Sequence, residues 1–541
     1  MKDISSTGSF VDFTLENFIY VDKTVYIPQL VKLKRVFISR PRRFGKSLTL
    51  DTIATLFETG VEPYFKGTWI YDKWTEPTYP VLRLNFLDLD KYSLEHFKQK
   101  LNAIISSFAR DINVKNYEEK VEPEDTIYFL LDELRKEKRQ IVILIDEYDC
   151  QMTANINNET LYKQFQEKIK SFYANIKDKF AIKFLGITGV TRLKDVSIFS
   201  VGSDINDITN ASAYSQMIGF TRDEIKKYYI DYLKLASSYE NNCSVDDVTD
   251  TQLESMLDMM AQNYDGYCFD EDYEKKVFST WSVNKFFQTM IEKKKVQFGE
   301  YWYDNGGLPS ILVNYLKTHE LNIFEYLDKD KFLKVSSDDF KNPTALTTIN
   351  QNVLMCQTGY LTLRSDLNKT STVALGIPNG EIYKALNRLL ANNIFKGNTD
   401  ITDDYGRSLL EVGTVDDIIN LFNSALNSVS YDNYPIVSES SVQNMLKLYL
   451  LGAHQEVLSE VHEAKGRADL VVNTDNRRIV FEFKYAKNEA EAKSKLSEAV
   501  EQIKTRDYGN ILPKKNELIR IAAVFNADPK VRAFTENQIV P

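Results

Sequence analysis

Three stretches of this 541-residue chain predict an α/β fold built on a doubly wound parallel sheet. Residues 36–39 form a short apolar strand that runs into Arg40-Pro41-Arg42-Arg43-Phe44-Gly45-Lys46-Ser47, and residues 48–57 then read as a helix. Residues 140–145 are an unbroken apolar run ending in Asp146-Glu147-Tyr148-Asp149, the pattern of a strand buried on both faces of a parallel sheet. Residues 181–188 are a third such strand, and 81–86 add another. Between residues 36 and 215 these strands alternate with helical periodicity, which is the α/β signature.

The first stretch places backbone N–H groups, a helix N-terminus and a lysine around one point, which is how proteins hold the phosphates of a nucleotide. Lys46 is expected to reach the β/γ-phosphates of ATP, and the Ser47 hydroxyl to ligate Mg²⁺. Arg43, Gly45 and Leu48 are expected to complete the loop's contacts, with pairing to the acidic surface the alternative for Arg43. Such a loop usually opens with glycine five positions before Gly45, where this chain has Arg40. The motif therefore needs a second element, and the acidic end of the second strand supplies it. Asp146 suits the Mg²⁺ shell and Glu147 suits polarisation of the attacking water. Thr188, ending the third strand, suits a γ-phosphate sensor, with Arg192 four residues on; a structural role fits both equally well.

Composition sets the class. Apolar content of 43% and charged content of 27% are those of an ordinary globular protein, and the length requires three or four domains. The sequence has no 18-residue apolar run and no signal-peptide pattern, so neither membrane insertion nor secretion is expected. Four cysteines and four histidines are dispersed without a CxxC pair. A zinc site or disulfide framework is disfavoured and a cytoplasmic location fits. The net charge of −10 argues against a chain coated by nucleic acid but leaves room for a local basic groove. Residues 431–541 balance their charges, so the first 430 carry the whole excess.

Four domains are expected. Residues 1–218 hold the nucleotide module. Residues 219–300 form a helical lid, opened by a capping box at Thr221 and Glu224. Residues 301–428 form a small winged-helix-like α+β unit, with a hairpin strand at 356–363 and a helix at 378–390. Residues 429–541 form the last domain, after a Ser/Asn/Asp-rich linker.

That last domain carries a second constellation. Gly466-Arg467-Ala468-Asp469 starts one β-rich run, a polar turn follows, and Val480-Phe481-Glu482-Phe483-Lys484 forms the return strand. Glu482 and Lys484 are two apart and share a face. Asp469 and Glu482 make a hard-oxygen site for Mg²⁺, or for Mn²⁺, and Lys484 is a cation for a phosphate transition state. An acid inside an otherwise apolar strand needs a partner such as a metal. Gln502 on the next helix adds to the pattern, and Glu439 or Glu460 could supply a further carboxylate. His462 reads as solvated.

Taken in order, the motifs resemble the AAA-ATPase-like proteins fused to a C-terminal PD-(D/E)XK nuclease. The likeness rests on Tyr20-Val21-Asp22-Lys23-Thr24, the Arg40–Ser47 loop, Asp146-Glu147-Tyr148-Asp149, Ser197-Ile198-Phe199-Ser200 and Gly219-Phe220-Thr221. It extends through Tyr264-Asp265-Gly266-Tyr267 and Thr358-Gly359-Tyr360-Leu361 to the Asp469, Glu482, Lys484 hairpin. In that family Arg-Pro-Arg-Arg-Phe-Gly-Lys is the form the phosphate loop takes, so Arg40 is no defect. The resemblance implies Lys46, Ser47, Asp146 and Glu147 for ATP and Mg²⁺, and Asp469, Glu482 and Lys484 for phosphodiester hydrolysis. By analogy of architecture it implies mobile-element or phage defence. DNA or RNA is the expected macromolecular partner, and AAA-like modules often act in rings, which leaves homo-oligomer formation open. The competing reading is a nucleotide-switched signalling or scaffold protein whose nuclease fold only binds nucleic acid or a partner.

Overall fold

The computed structural model describes all residues except 177–179, 194–204, 305–309, 317–322, 344, 368–370, 396–401, 454, 464–465 and 513. Ser197-Ile198-Phe199-Ser200 therefore lies outside the described residues, as do the side chains of Glu460 and His462. The chain divides into two compact units. One comprises residues 1–321 and 332–382, the other residues 322–331 and 383–541.

The first unit is built on a five-stranded, wholly parallel sheet of β1 (Arg35–Ser39), β2 (Val81–Asn85), β3 (Ile141–Asp146), β4 (Ile182–Gly189) and β5 (Asn206–Asp207), in the order β2-β3-β4-β1-β5. Every residue of β3 is buried, as its unbroken apolar run requires. Helices α1 (Lys46–Thr59), α2 (Leu94–Asp111), α3 (Pro123–Lys136) and α4 (Glu159–Ile176) connect the strands. The chain leaves β1 for the far edge of the sheet and returns through β3 to β4, beside β1. The ends of β1, β4 and β3 thus lie next to one another, at the point where open α/β sheets bind ligands.

The segment expected to be a lid is helical, with α5 (Arg222–Tyr228), α6 (Ile230–Asn241), α7 (Asp250–Tyr264) and α8 (Thr280–Lys293). The expected capping box is present. Thr221 Oγ1 accepts from Glu224 N, and Glu224 Oε2 accepts from Thr221 N. Lys23 Nζ reaches the same Glu224 carboxylate at 2.6 Å, so the Tyr20–Thr24 motif fastens the N-terminal segment to the lid. Beyond the lid, β6 (Leu333–Ser336), β7 (Thr362–Leu363) and β8 (Thr372–Gly376) form a small antiparallel sheet. Here one expectation is corrected. The hairpin strand anticipated at 356–363 is largely replaced: Cys356, Gln357 and Thr358 end the helix Gln351–Thr358, and Gly359 terminates it at φ +94°. Strand remains only at Thr362–Leu363. Val353, Leu354 and Met355 bury one helical face, and that packing overrides the β-propensity of the Thr and Tyr residues that follow.

α9 (Gly380–Ile394) runs into the second unit, which contains α10 (Val415–Asn427), α11 (Glu439–Gly452) and a five-stranded mixed sheet. Its order is β13-β12-β11-β10-β9, from β9 (Glu456–Glu463), β10 (Gly466–Asn473), β11 (Arg477–Ala486), β12 (Glu517–Asn526) and β13 (Ala533–Ile539). β11 and β12 are parallel, joined through α12 (Glu489–Arg506); the other pairs are antiparallel. Phe481 and Phe483 pack on Phe422 and Phe534 on one face of β11. The alternate residue Val480 joins the core with Ala499, Val500 and Ile503 of α12. Glu482 and Lys484 continue that second face.

Candidate functional sites

In the first unit, the ends of three adjacent strands bring five of the expected side chains together. Ser47 Oγ donates to Asp146 Oδ2 at 2.6 Å, and Thr188 Oγ1 donates to Asp146 Oδ1. Lys46 is 4% exposed, and its Nζ donates to the carbonyls of Arg40 (3.0 Å) and Pro41 (3.2 Å). The same Nζ lies 3.6 Å from Glu147 Oε1. Burial raises the Glu147 carboxyl above its usual pKa; Lys46 opposes this, while Asp149 and Asp146 add to it. Gly45, at φ +100°, caps α1 in a conformation that favours glycine. Asp149, the last acid of its run, is structural: its carboxylate accepts from Thr191 N and Thr191 Oγ1 and fixes the end of β4.

Arg192 is not brought to this group. Its guanidinium pairs with Asp207, and its backbone N–H donates to Gln357. Arg40 also turns away from the loop's mouth. It is 1% exposed, donates from Nη1 to the carbonyls of Ser39 (2.9 Å) and Thr209 (2.6 Å), and stacks 4.1 Å over Phe269. Its φ is not positive, so the backbone has no need of glycine there. Burial lowers its pKa to about 9, against the pull of Asp207.

The loop opens into a cavity of about 340 Å³ whose walls the sequence reading did not supply. Ser5 to Gly8 and Tyr20 of the N-terminal segment line it, together with Phe220, Trp281 and Asn284 of the lid. Asn284 Nδ2 donates to Ser5 O (3.0 Å) and its Oδ1 accepts from Tyr229 OH (2.6 Å), which joins lid and N-terminus across the pocket. Arg43 stacks 4.2 Å over Trp281, and its buried Nη1 donates to nothing. An unpartnered guanidinium donor, a lysine held on loop carbonyls and a Ser–Asp pair suit a nucleotide triphosphate with its divalent ion. The Tyr20–Thr24 motif and the Ser-Ser-Thr-Gly run at residues 5–8 are the marks of this N-terminal wall in the sequence.

In the second unit, β10 and β11 bring Asp469, Glu482 and Lys484 together. Glu482 is fully buried; its Oε1 accepts from Lys484 Nζ at 2.8 Å and its Oε2 from nothing. Asp469 Oδ2 accepts from Phe483 N at 2.8 Å, and the Asp469 carbonyl accepts from Gln443 Nε2 of α11. Glu439, at the start of α11, lies 3.3 Å from Lys484 Nζ. Burial, then the Asp469 charge, pushes the Glu482 pKa up to about 7 against the pull of Lys484. Burial likewise raises Asp469. For Lys484 burial acts downward, yet Glu482, Glu439 and Asp469 outweigh it and the pKa rises. Gln502 is turned to Tyr508 instead.

Two carboxylates held above their usual range, one with an orphan buried oxygen, fit a hard divalent cation. Among the described residues no three His, Cys, Asp or Glu side chains converge into a metal cage. An ion held there would take its remaining ligands from water and substrate oxygens, as Mg²⁺ commonly does.

Comparison with known proteins gives the same two parts. Residues 5–199 match the family described as predicted AAA-ATPase, and residues 437–535 match the PD-(D/E)XK nuclease superfamily. The chain has the architecture of an AAA-ATPase-like domain followed by a PD-(D/E)XK nuclease-superfamily domain. It is similar, at 26% identity over 532 residues, to an uncharacterized protein in the vnfD 5′ region of Azotobacter chroococcum mcd 1, covering 95% of this chain and 94% of that one. Among solved structures, Cdc6p from Pyrobaculum aerophilum overlaps 68% of this chain and 91% of its own, with 10% identity and a TM-score of 0.22. The Aeropyrum pernix ORC1 protein in complex with DNA overlaps 69% of this chain and 95% of its own, at 10% identity and a TM-score of 0.27. These overlaps are loose. Among the described residues no helix is long and apolar enough to cross a membrane.

Proposed function

We propose that this chain hydrolyses ATP at Lys46, Ser47, Asp146 and Glu147, and that this site controls metal-dependent phosphodiester cleavage at Asp469, Glu482 and Lys484. The observation that carries the reading is Glu482, a fully buried carboxylate with one oxygen on Lys484 and the other unpartnered. A purely structural acid would have both oxygens satisfied or would be replaced by an apolar residue.

At the ATP site, Lys46 exchanges the carbonyls of Arg40 and Pro41 for β/γ-phosphate oxygens, and Arg43 offers its free Nη1. Glu147 orients the attacking water and accepts its proton, a task its raised pKa suits. Leu48 lines the same cavity, and Thr188 holds Asp146 in place. Ile19, Tyr20, Phe220 and Tyr229 form an apolar wall for the base. At the second site, Asp469 and Glu482 hold the ion and Lys484 Nζ steadies the scissile phosphate or its water. Mg²⁺, or Mn²⁺ at the second site, supplies charge neutralisation and a more acidic water when bound.

The test uses the full chain with labelled single-stranded DNA, duplex DNA and RNA in Mg²⁺ or Mn²⁺, with and without ATP. Lys46→Ala is expected to lower ATP turnover at least a hundredfold and to change the ATP dependence of cleavage. Glu482→Gln is expected to abolish cleavage and spare ATP turnover. If Glu482→Gln cuts as wild type does, the second site is misassigned. If wild type turns over ATP and never cuts, the scaffold reading replaces this one.

A further inference from the structure

At the pole of the parallel sheet opposite the phosphate loop, where the strands begin, an open groove of about 580 Å³ collects cations. Lys32, Lys34, Arg35, Lys73 and Lys183 line it, and among the described residues of its lining Glu76 is the one acid. Lys183 pairs with Glu76 at 2.6 Å, and Lys73 Nζ lies 4.7 Å over Trp69 and donates to its carbonyl. Lys32 and Lys34 are exposed and have no acidic partner among the described residues. In a chain of net charge −10, such a local excess of positive charge marks an anion site.

Two further observations give the anion a shape. Trp74 and Phe180 line the same groove, and Phe180 is 62% exposed, so its ring is open to a stacking ligand. Lys34 stands at φ +65°, ψ −43° where the chain turns from a short helix into β1. That backbone is one that residues other than glycine rarely adopt. Cations that follow a backbone, interleaved with aromatic faces on which bases stack, are the equipment of single-strand recognition. An acidic peptide would use the lysines and have no use for the rings.

We infer that this groove binds a single nucleic-acid strand through its phosphates at Lys32 and Lys34, with a base on Phe180. The strand lies about 16 Å, the length of β1, from the phosphate loop, so the ATPase unit itself holds nucleic acid on a face that ATP does not occupy. The inference rests on the proposed function only in taking nucleic acid as the substrate class.

The test is fluorescence anisotropy of a fluorescein-labelled 20-mer of thymidylate with the full chain in EDTA, between 50 and 200 mM salt. Lys32→Glu/Lys34→Glu is expected to weaken binding at least tenfold at 50 mM salt. It should also reduce the log–log salt slope by about 1.4, from two lost phosphate contacts at roughly 0.7 each. Phe180→Ala is expected to weaken binding severalfold and leave the slope unchanged. ATP turnover by each variant, measured in Mg²⁺, should match wild type and shows that the fold is intact. Wild-type affinity in the double variant overturns the inference, as does failure of wild type to bind. Displacement of the oligonucleotide by poly-glutamate at equal charge concentration overturns it in favour of an acidic protein partner. Cleavage is read separately: loss of cutting in Glu482→Gln with the groove silent sinks this inference alone, and groove binding by a chain that never cuts sinks only the nuclease reading.

Discussion

At the scale of single residues, the second site is governed by Glu482, whose two oxygens have different environments. One is tied to Lys484; the other is buried without a partner and is the costlier of the two. The metal-free protein lessens that cost by holding a proton, which is why its pKa rises to about 7. The folded state binds this proton more tightly than the unfolded chain, whose pKa is near 4.5. The contribution to stability is therefore fully present below about pH 4.5 and is lost as pH rises through 7, at most about 3 kcal/mol in all. Cation binding must expel the proton. Mn²⁺ affinity at this site should climb about tenfold per pH unit up to roughly pH 7 and then level off. Titration calorimetry at pH 6 in buffers of different ionisation enthalpy should show nearly one proton released per Mn²⁺ bound, and close to none at pH 8. Glu482→Gln should erase the difference. Proton release that survives in the variant would assign the raised pKa to another group.

At the scale of elements, the phosphate loop is held from outside as well as from β1 and α1. Thr280 Oγ1 at the start of α8 donates to Arg43 O at 3.0 Å, and Trp302 Nε1 donates to Arg42 O at 3.4 Å. Gly359, which ends the helix Gln351–Thr358, lies so close to the loop that a Cβ there would stand 2.8 Å from Pro41 Cβ. Gly359→Ala should thus push the loop and also strain a backbone at φ +94°. ATP affinity is expected to fall at least fivefold, roughly 1 kcal/mol. Gly67→Ala, at φ +86° with no atom within 4 Å of its Cβ, should carry the backbone strain alone and leave ATP affinity unchanged. Equal ATP affinities for the two variants, measured by nucleotide titration, would show that Gly359 does not position the loop. These contacts also explain what the sequence could and could not reveal. β1, β3 and β4 were legible because continuous apolar runs encode burial on both faces, and the Asp469–Lys484 hairpin because an acid in an apolar strand stands out. The N-terminal wall of the cavity was not legible, because Ser5 to Gly8 line it only through tertiary contact with Asn284. Arg192 was misleading for a related reason: four residues past a strand end fixes no direction, and Asp207 on β5 claims its guanidinium. The helix before Gly359 was hidden by residues whose β-propensity outweighs a buried apolar face of only two turns.

At the scale of the whole molecule, two units of unequal size carry two ligand sites, and that inequality gives a measurable signature. The first unit holds 372 residues and the nucleotide cavity; the second holds 169 and the carboxylate pair. A ligand at a hundred times its Kd stabilises the unit that binds it by about 2.7 kcal/mol whatever the size of that unit. The rise in midpoint is that energy divided by the unfolding entropy, which grows with length at roughly 2.1 cal/mol/K per residue. An ATP analogue should therefore raise the first unit's transition by only about 3 °C, while Mn²⁺ at the second site should raise the smaller unit's by about 8 °C. Differential scanning calorimetry of the full chain should resolve two transitions in which the larger enthalpy answers to the analogue and the smaller to Mn²⁺. Lys46→Ala should remove the first response and Glu482→Gln the second. A single transition moved by either ligand would mean that the units unfold as one cooperative body. The control of cutting by ATP would then be a property of one shared core, and the case for two modules exchanging a signal would fall.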